Sequence, residues 1–395
     1  MSTPLELLFD LTLVVAVSRA AAELAHALAA GHLADAVPHY LMVFFAVWWA
    51  WMNFTWFASA YDVDDVPYRL LTLVQMAGVV VLAAGVPAAF EHGDFATVTL
   101  GYVIMRLAIV VQWLRAARGD PGHRRTARRY AAGIVVVQLG WALRLLLPPD
   151  VGTAVLPVLV LAELGVPLWA ERPAMTTWHP HHIAERYGLF TIIVLGECVL
   201  AVTAAVAPQA DGGLLHADLV LVAGGGLVLL FALWWIYFLT PAAEVLRAER
   251  RRSFRWGYGH YGIFAALAAL GAGLEVAAER AQGHTETAGT VSTGAVSGGA
   301  VSGGAVSDVA VAGAVAVPVA VVLVLIWFLH APAARNPVRE GAATLTGAAV
   351  TLAIPAGCLA GLPLPWAVLL TAVPASALCL AATSRPDPSE PPSNP

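Results

Sequence analysis

The stretch LVLVAGGGLVLLFALWWIYFL, residues 219–239, runs for 21 residues without a charged side chain. At about 1.5 Å of rise per residue, a helix of this length crosses the roughly 30 Å hydrocarbon core of a lipid bilayer. Such runs are too long, and alternate too little, for strands of a membrane β-barrel. The stretch therefore predicts a transmembrane α-helix.

Similar apolar segments recur along the whole chain, so the sequence predicts an all-α, polytopic transmembrane helical bundle. We place about twelve spans at residues 6–29, 37–60, 69–90, 95–117, 130–148, 151–171, 183–207, 215–240, 257–279, 309–331, 341–361 and 363–383. The composition agrees, because 59% of the residues are hydrophobic and 12% are charged. Soluble domains have roughly 45–50% apolar and roughly 25% charged residues, so a soluble enzyme is excluded. The net charge of −5 gives no general attraction to nucleic acid.

The arginines provide an independent test of the span count. Seventeen of the 21 basic residues, all of them arginine, lie in connections, or at span ends next to connections, on one side of the twelve predicted spans. Among the connections on the other side, only Arg280 carries a positive charge. Because short cytoplasmic loops are enriched in basic residues, both termini are predicted to lie in the cytoplasm.

An internal repeat divides the predicted helices into two groups. Residues 45–49 (FAVWW) match residues 231–235 (FALWW), and further pairs follow in the same order. We predict two parallel six-helix repeats, since an even number of spans brings each half into the membrane in the same direction. The predicted division is 1–172 for the first half, 173–383 for the second half, 281–308 for a flexible Gly/Ser outer loop within it, and 384–395 for a disordered cytoplasmic tail.

Ionisable residues inside the predicted spans are candidates for function, because each costs about 2.5–3.5 kcal/mol on insertion scales. The candidates for an ion or substrate pathway are Glu6, Asp10, Arg106, Glu163, His182, Glu185, Arg186 and Glu197. Arg106 is interpreted as the counter-charge of one of the acids, and the sequence does not identify which. Glu163 precedes the helix-weakening residues Gly165 and Pro167, an arrangement typical of the neighbourhood of a site.

The first predicted span carries polar residues on two faces. Glu6 and Asp10 are one helical turn apart, whereas Arg19 lies on the side opposite Asp10. The helix is therefore expected to be central or to line a cavity. Two interpretations of Asp10 stay open, an ion site and a structural ion pair.

The seventh predicted span carries His182, Arg186 and Glu197 on one face. Arg186 and Glu197 are separated by about 16 Å along the axis, so these residues mark a wall and not a single contact. Glu197 lies deepest and is interpreted as a proton or cation site. The alternative is a buried carboxylate that stays protonated and has no transport role.

Other motifs indicate structure rather than chemistry. The cluster at 179–182 with Glu185 has fewer well-placed ligands than a zinc site needs, and we predict no metal. No nucleotide-binding motif is present, so no cofactor is predicted. The tryptophans at 48–51 and 234–235 are interpreted as packing or interface belts, and 224–226 (GGG) predicts close helix packing.

Several of these motifs together resemble the bacterial low temperature requirement A (LtrA) family of membrane proteins. The matching segments are Pro4–Leu11, Trp48–Trp51, Ala162–Gly165, His182–Glu197 and Leu233–Phe238. The chain departs from the family where Cys198 follows Glu197 in place of serine, which removes a hydroxyl. The resemblance implies a bacterial inner-membrane protein linked to growth in the cold, and it implies no reaction or substrate.

These observations lead to three functional hypotheses. In the first, the protein is a transporter or channel for an ion or small solute, with Glu6, Asp10 and Glu197 as proton or cation sites. His182, Glu185 and Arg186 would then form the cytoplasmic mouth. In the second, a sensory or structural membrane protein holds these charges as fixed ion pairs. In the third and least favoured, a membrane enzyme acts on lipid through His182 and Glu185. The sequence leaves the oligomeric state open.

Overall fold

A computed structural model describes residues 2–210, 217–240, 242–248, 252–291, 306–330 and 336–383, in which every regular element is an α-helix. The helices are α1 Pro4–Ala29, α2 Leu33–Tyr61, α3 Val66–Ala84, α4 Val86–His92, α5 Ala96–Gly119, α6 Arg124–Arg144, α7 Pro149–Ala170, α8 Pro180–Ala210, α9 Ala217–Phe238, α10 Ala242–Ala248, α11 Ser253–Val291, α12 Asp308–His330, α13 Pro337–Leu359 and α14 Leu364–Thr383. The predicted all-helical fold is confirmed.

The helix lengths agree with about twelve membrane spans. Within the described residues, ten helical stretches are long and apolar enough to cross a bilayer, with α3 and α4 forming one of them. The helices α1 and α6, of 26 and 21 residues, are long enough but carry more charge. In α1 this charge includes Glu6 and Asp10, so the helix must shield these groups from lipid.

The break between α3 and α4 lies at Gly85. A Cβ atom at this position would lie 2.7 Å from the backbone nitrogen of Val98, so only glycine allows the two chains to approach this closely. Pro87 follows in the first turn of α4, where its missing N–H costs no helical hydrogen bond. Backbone pairing continues on both sides of the break, because the Gly85 N–H donates to the Leu82 carbonyl and the Ala89 N–H donates to the Gly85 carbonyl.

The chain forms two compact units. The first comprises residues up to 23 and 34–193, and the second comprises residues 24–33 and those from 194 onward. The boundary thus falls within α1 and within α8. The predicted six-helix repeat stays a prediction, because a division by contacts does not test for repeat symmetry.

In the first unit, α3 packs against α5, α5 against α6, and α6 against α7. The backbones of α3 and α5 are close, since a Cβ on Gly78 would lie 2.8 Å from the carbonyl oxygen of Gly101. Small residues allow such approach in membrane helices, where packing replaces hydrophobic association. This contact fixes the position of α5 relative to α3 near Gly101.

In the second unit, α9 packs against α14, and α12 packs against both α11 and α13. A Cβ on Gly225 would lie 2.9 Å from the Cα of Leu369, whereas Gly224 has no such neighbour within 4 Å. Close packing at the glycine run is therefore confirmed at Gly225.

The two tryptophan pairs of the sequence repeat have different surroundings within their own units. Trp48 and Trp49 are 1% and 0% exposed, whereas Trp234 and Trp235 are 45% and 51% exposed. The first pair is a core feature, and the second has the exposure expected of side chains that face lipid.

The predicted outer loop is partly helical, because α11 continues to Val291, beyond the predicted end of its span at residue 279. Residues 292–305 of that loop and the predicted tail at 384–395 lie outside the described residues.

Candidate functional site

The first residues of α1 form a capping box that also positions an acid. The Glu6 backbone N–H donates to Thr3 Oγ1 at 3.3 Å, and the Thr3 N–H donates to Glu6 Oε2 at 2.8 Å. This reciprocal pair satisfies N–H groups that the start of a helix leaves without partners. Glu6 is fully buried, so its capping role holds the carboxylate in one place.

A second acid, Asp10, lies one turn further along α1, and it shares the Arg186 guanidinium with Glu6. Asp10 Oδ1 accepts from Arg186 Nη2 at 2.6 Å and from the Trp51 indole at 2.7 Å. Arg186 Nη1 also lies 3.1 Å from Glu6 Oε1, and its Nη2 lies 3.4 Å from Thr55 Oγ1. Asp10 and Arg186 are 0% exposed. One buried guanidinium is therefore shared by two buried carboxylates.

His182 completes this group, which we name the α1–α8 cluster: Glu6, Asp10, His182 and Arg186. His182 Nε2 lies 3.1 Å from Glu6 Oε1, and its side chain is 12% exposed, whereas the other three are fully buried. With a neutral imidazole the cluster carries one net negative charge. With a protonated imidazole it is neutral. His182 is also the member of the cluster whose side chain is partly exposed at the surface of the first unit.

A second cluster surrounds Glu163 on α7. Glu163 Oε2 accepts from Arg106 Nη2 at 2.9 Å and from the Trp49 indole at 2.8 Å. Glu163 Oε1 accepts from the Tyr102 hydroxyl at 2.7 Å and from Gln138 Nε2 at 2.9 Å. We name these five residues the α7 cluster. All of them are buried, and the charges of Glu163 and Arg106 cancel.

The two clusters differ in how completely their carboxylates are bonded. Each oxygen of Glu163 receives two hydrogen bonds, so a proton on Glu163 would have to displace one of four donors. Asp10 Oδ2, by contrast, is buried without a hydrogen-bond partner among the described residues. A carboxylate hydrogen-bonded in its charged form favours that form. The geometry thus leaves no carboxylate oxygen of Glu163 without a donor and leaves Asp10 one buried oxygen, Oδ2, without a hydrogen-bond partner among the described residues.

The loop after α2 lies close to the α1–α8 cluster. Asp62, the first residue of this loop, is within electrostatic range of Glu6 and His182. Partial burial raises the pKa of Asp62 above its usual value, and the negative charges of Glu6 and Asp64 raise it further. Asp62 therefore adds a carboxylate next to the α1–α8 cluster.

A cavity lies next to the α7 cluster, between α2, α5 and α6. Its walls are mostly apolar and include Phe45, Phe95 and Trp141, with Arg144 beside them. Tyr102 belongs to both the cavity wall and the α7 cluster. Tyr102 thus connects the cavity wall to the buried carboxylate through its hydroxyl.

The sequence model of the family described as bacterial low temperature requirement A protein (LtrA) matches residues 1–384. The chain belongs to the LtrA family. Among relatives, an uncharacterized protein of Rhizobium meliloti strain 1021 is 29% identical over 280 residues, and the match covers 65% of this chain and 65% of the relative. The chain thus spans about two thirds of that relative's length. No solved structure gives a significant match.

The segments that carry the LtrA resemblance supply all four residues of the α1–α8 cluster and two of the five residues of the α7 cluster. Pro4–Leu11 provides Glu6 and Asp10, and His182–Glu197 provides His182 and Arg186. The segments around Trp48–Trp51 and Ala162–Gly165 contribute the indole donors and Glu163. Of the eight predicted pathway residues, the structure therefore brings four together in the α1–α8 cluster and two, Arg106 and Glu163, in the α7 cluster.

The remaining two predicted residues lie in neither cluster. Glu185 is exposed and accepts from the Ser2 N–H at 3.2 Å. Glu197 is half-buried in the part of α8 that belongs to the second unit, within electrostatic range of Glu275. Beside it, the Cys198 thiol lies 3.2 Å from the carbonyl oxygen of Leu267, so sulfur makes a contact of the kind a serine hydroxyl would make.

The neutral donors of both clusters are absent from the predicted site. Trp49, Trp51, Tyr102 and Gln138 carry no charge, and the tryptophan motifs predict packing or interface belts. One overlooked signal was the Thr3-Pro4-Leu5-Glu6 pattern, which matches a capping box with proline at the first helical position. Among the described residues, no three His, Cys, Asp or Glu side chains are arranged to hold a metal ion.

Proposed function

We propose that this LtrA protein is a transporter or channel that moves protons or monovalent cations through the α1–α8 cluster. The observation that carries the proposal is the charge balance of that cluster, in which two buried carboxylates face one guanidinium. A net negative charge inside a membrane helix bundle is costly unless it is neutralised. Uptake of one proton or one cation neutralises it.

The arrangement of the members supports a route into the site. His182 is partly exposed and contacts Glu6, Glu6 contacts Arg186, and Arg186 contacts Asp10. The free Oδ2 atom of Asp10 is the innermost acceptor in this series. Asp62 adds a negative potential next to His182, which raises the local concentration of cations.

The orientation of the protein is part of the same proposal. The helix ends at Pro4, Tyr61 and Pro180, which surround the α1–α8 cluster, belong to the arginine-rich side of the chain. By the positive-inside tendency, the cluster opens toward the cytoplasm of a bacterial cell and the protein lies in the inner membrane.

The proposal is tested by proton flux into proteoliposomes that contain a pH dye, under imposed pH and K⁺ gradients. We expect the wild-type protein to exceed empty liposomes and Asp10→Asn to lose at least about nine tenths of this flux. Glu91→Gln is a matched control, because Glu91 lies on α4 with a 64% exposed side chain and touches neither cluster.

Two results would overturn the proposal. One is a wild-type flux no greater than that of empty liposomes under any gradient. The other is a folded Asp10→Asn variant with unchanged flux. Either would favour the sensory or structural hypothesis, in which the α1–α8 cluster acts as a fixed ion pair like the α7 cluster.

A further inference from the structure

Five exposed arginines occupy one end of the helices α5, α6 and α7. They are Arg118, Arg124, Arg125, Arg128 and Arg172, and we name them the arginine patch. They share one end because α6 packs against both α5 and α7, and the patch lies where α5 and α7 end and α6 begins. The patch belongs to the first unit alone.

The positive charge of the patch is not balanced within the described chain. None of its five arginines forms an ion pair with a described residue. The nearby carboxylates already have partners, since Asp120 contacts His123 and Glu171 accepts from the Tyr130 hydroxyl at 3.0 Å. The Asp120 pKa lies below its usual value, because the hydrogen bonds from His123 outweigh the opposing effect of burial. Asp120 is therefore ionised and already hydrogen-bonded to His123.

The placement of the patch also opposes the electrostatics of α6. Arg124 and Arg125 lie in its first turn, and no acidic residue is present there. The N-terminus of a helix carries a partial positive charge, so cations at this end are repelled and anions are attracted. Two unfavourable electrostatic effects thus coincide at the start of α6: the arginines have no ion-pair partner, and the helix dipole repels Arg124 and Arg125. An external anion would reduce both effects.

The surface beside the patch has the properties of a membrane interface. Trp169 at the end of α7 is 40% exposed, and the Arg129 guanidinium lies 5.1 Å from the centre of its ring. Leu114 on α5 and Leu168 on α7 are 39% and 50% exposed. Exposed tryptophan at a helix end marks the headgroup level, and exposed leucines mark the acyl chains.

We propose that the arginine patch binds the phosphate groups of anionic phospholipids in the adjacent leaflet. Guanidinium groups bind phosphate oxygens through paired hydrogen bonds, and basic clusters next to a membrane span attract acidic lipids. A phospholipid fits better than a soluble anion because its chains cover the exposed leucines while its phosphate meets the arginines. The proposal is independent of ion transport.

The test uses the full-length protein in neutral detergent and measures bound lipid by native mass spectrometry. Phosphatidylglycerol is titrated against wild type and the triple variant Arg124→Gln, Arg125→Gln, Arg128→Gln. We expect the affinity of the triple variant to fall at least about tenfold, given roughly 1 kcal/mol per basic residue near an anionic surface. The triple lysine variant, which keeps the charge, should restore most of the affinity.

The controls distinguish this site from general attraction and from a soluble ligand. Arg339→Gln removes an exposed arginine at the start of α13 and should leave the affinity within about twofold. Phosphatidylcholine, which has no net charge, should bind at least tenfold more weakly than phosphatidylglycerol. The proposal is overturned by a folded triple glutamine variant that binds phosphatidylglycerol like wild type. It is also overturned if glycerol 1-phosphate competes at equal concentration, because the ligand would then be a soluble phosphate.

Discussion

The difference between the two buried carboxylates predicts that their amide variants have unequal stability. In Glu163→Gln, the new NH2 group must face either Trp49 and Arg106 or Tyr102 and Gln138, all of which donate to the native carboxylate. Facing Trp49 and Arg106, which can only donate, the NH2 group loses both hydrogen bonds. Facing Tyr102 and Gln138, it can donate to the Tyr102 hydroxyl and to Gln138 Oε1, which has no hydrogen-bond partner among the described residues. Arg106 also loses the ion pair that it forms with Glu163, while it stays 1% exposed.

In Asp10→Asn the same change has a smaller effect. The asparagine oxygen can still accept from Trp51 and Arg186, and its NH2 group takes the place of Oδ2, which has no hydrogen-bond partner among the described residues. Arg186 keeps Glu6 at 3.1 Å as a counter-charge. We expect a loss of about 3–5 kcal/mol for Glu163→Gln, as for a broken buried ion pair, and about 1 kcal/mol for Asp10→Asn.

The assay is reversible unfolding by SDS titration in mixed micelles, followed by tryptophan fluorescence. Adding Arg106→Gln to Glu163→Gln removes the orphaned charge, so the double variant should be more stable than the sum of the single losses predicts by at least about 1 kcal/mol. Equal losses for Glu163→Gln and Asp10→Asn, or strict additivity of the double variant, would refute the conclusion that the Arg106 ion pair and four hydrogen bonds make Glu163 the more important carboxylate for stability.

Two further predictions concern other regions. Gly225→Ala should lower the free energy of unfolding by about 1–3 kcal/mol in the same titration, because the new Cβ would meet the α14 backbone. Gly224→Ala, with no neighbour within 4 Å, should be neutral or slightly stabilising. The Asp65 pKa lies below its usual value, because the Tyr68 N–H and Arg115 stabilise its charged form. Its contribution to the start of α3 should therefore be complete above pH about 4 and be lost as the pH falls below this. The protection factor of the Tyr68 amide against hydrogen exchange should then fall with the pH in wild type and change less in Asp65→Asn.

The helices were predictable from the sequence because a membrane span needs only a long apolar run between polar ends. The span predicted at 309–331 corresponds to Asp308–His330, and the one at 363–383 to Leu364–Thr383. The predicted first span begins two residues after the start of α1, because the apolar run does not include the capping pattern at Thr3. The predicted ninth span ends before α11 does, because the low complexity of the segment after residue 281 is typical of a loop.

The partners of the buried charges could not be predicted in the same way. Arg106 and Glu163 are 57 residues apart, and their contact depends on the rotation of two helices that the hydrophobic pattern leaves undefined. The sequence predicts that Arg186 belongs to the same pathway as the acids of the first span, but it does not predict direct contacts with Glu6 and Asp10. Trp49 and Trp51 gave no signal, because an indole N–H that binds a carboxylate has the same sequence signature as one that packs in a core.

One feature of α2 constrains how this unit can move. Trp49 and Trp51 are two residues apart, so their side chains point about 200° apart around the helix axis. Each donates to a different carboxylate, at 2.8 Å and 2.7 Å. A turn of α2 by about 20° would carry an indole, at about 5–6 Å from the axis, through about 2 Å, which is enough to break either bond. The two indole hydrogen bonds lie on nearly opposite sides of α2, so together they resist rotation of the helix about its axis in either direction. A rearrangement at Asp10 that rotates α2 would therefore also move Trp49 relative to Glu163.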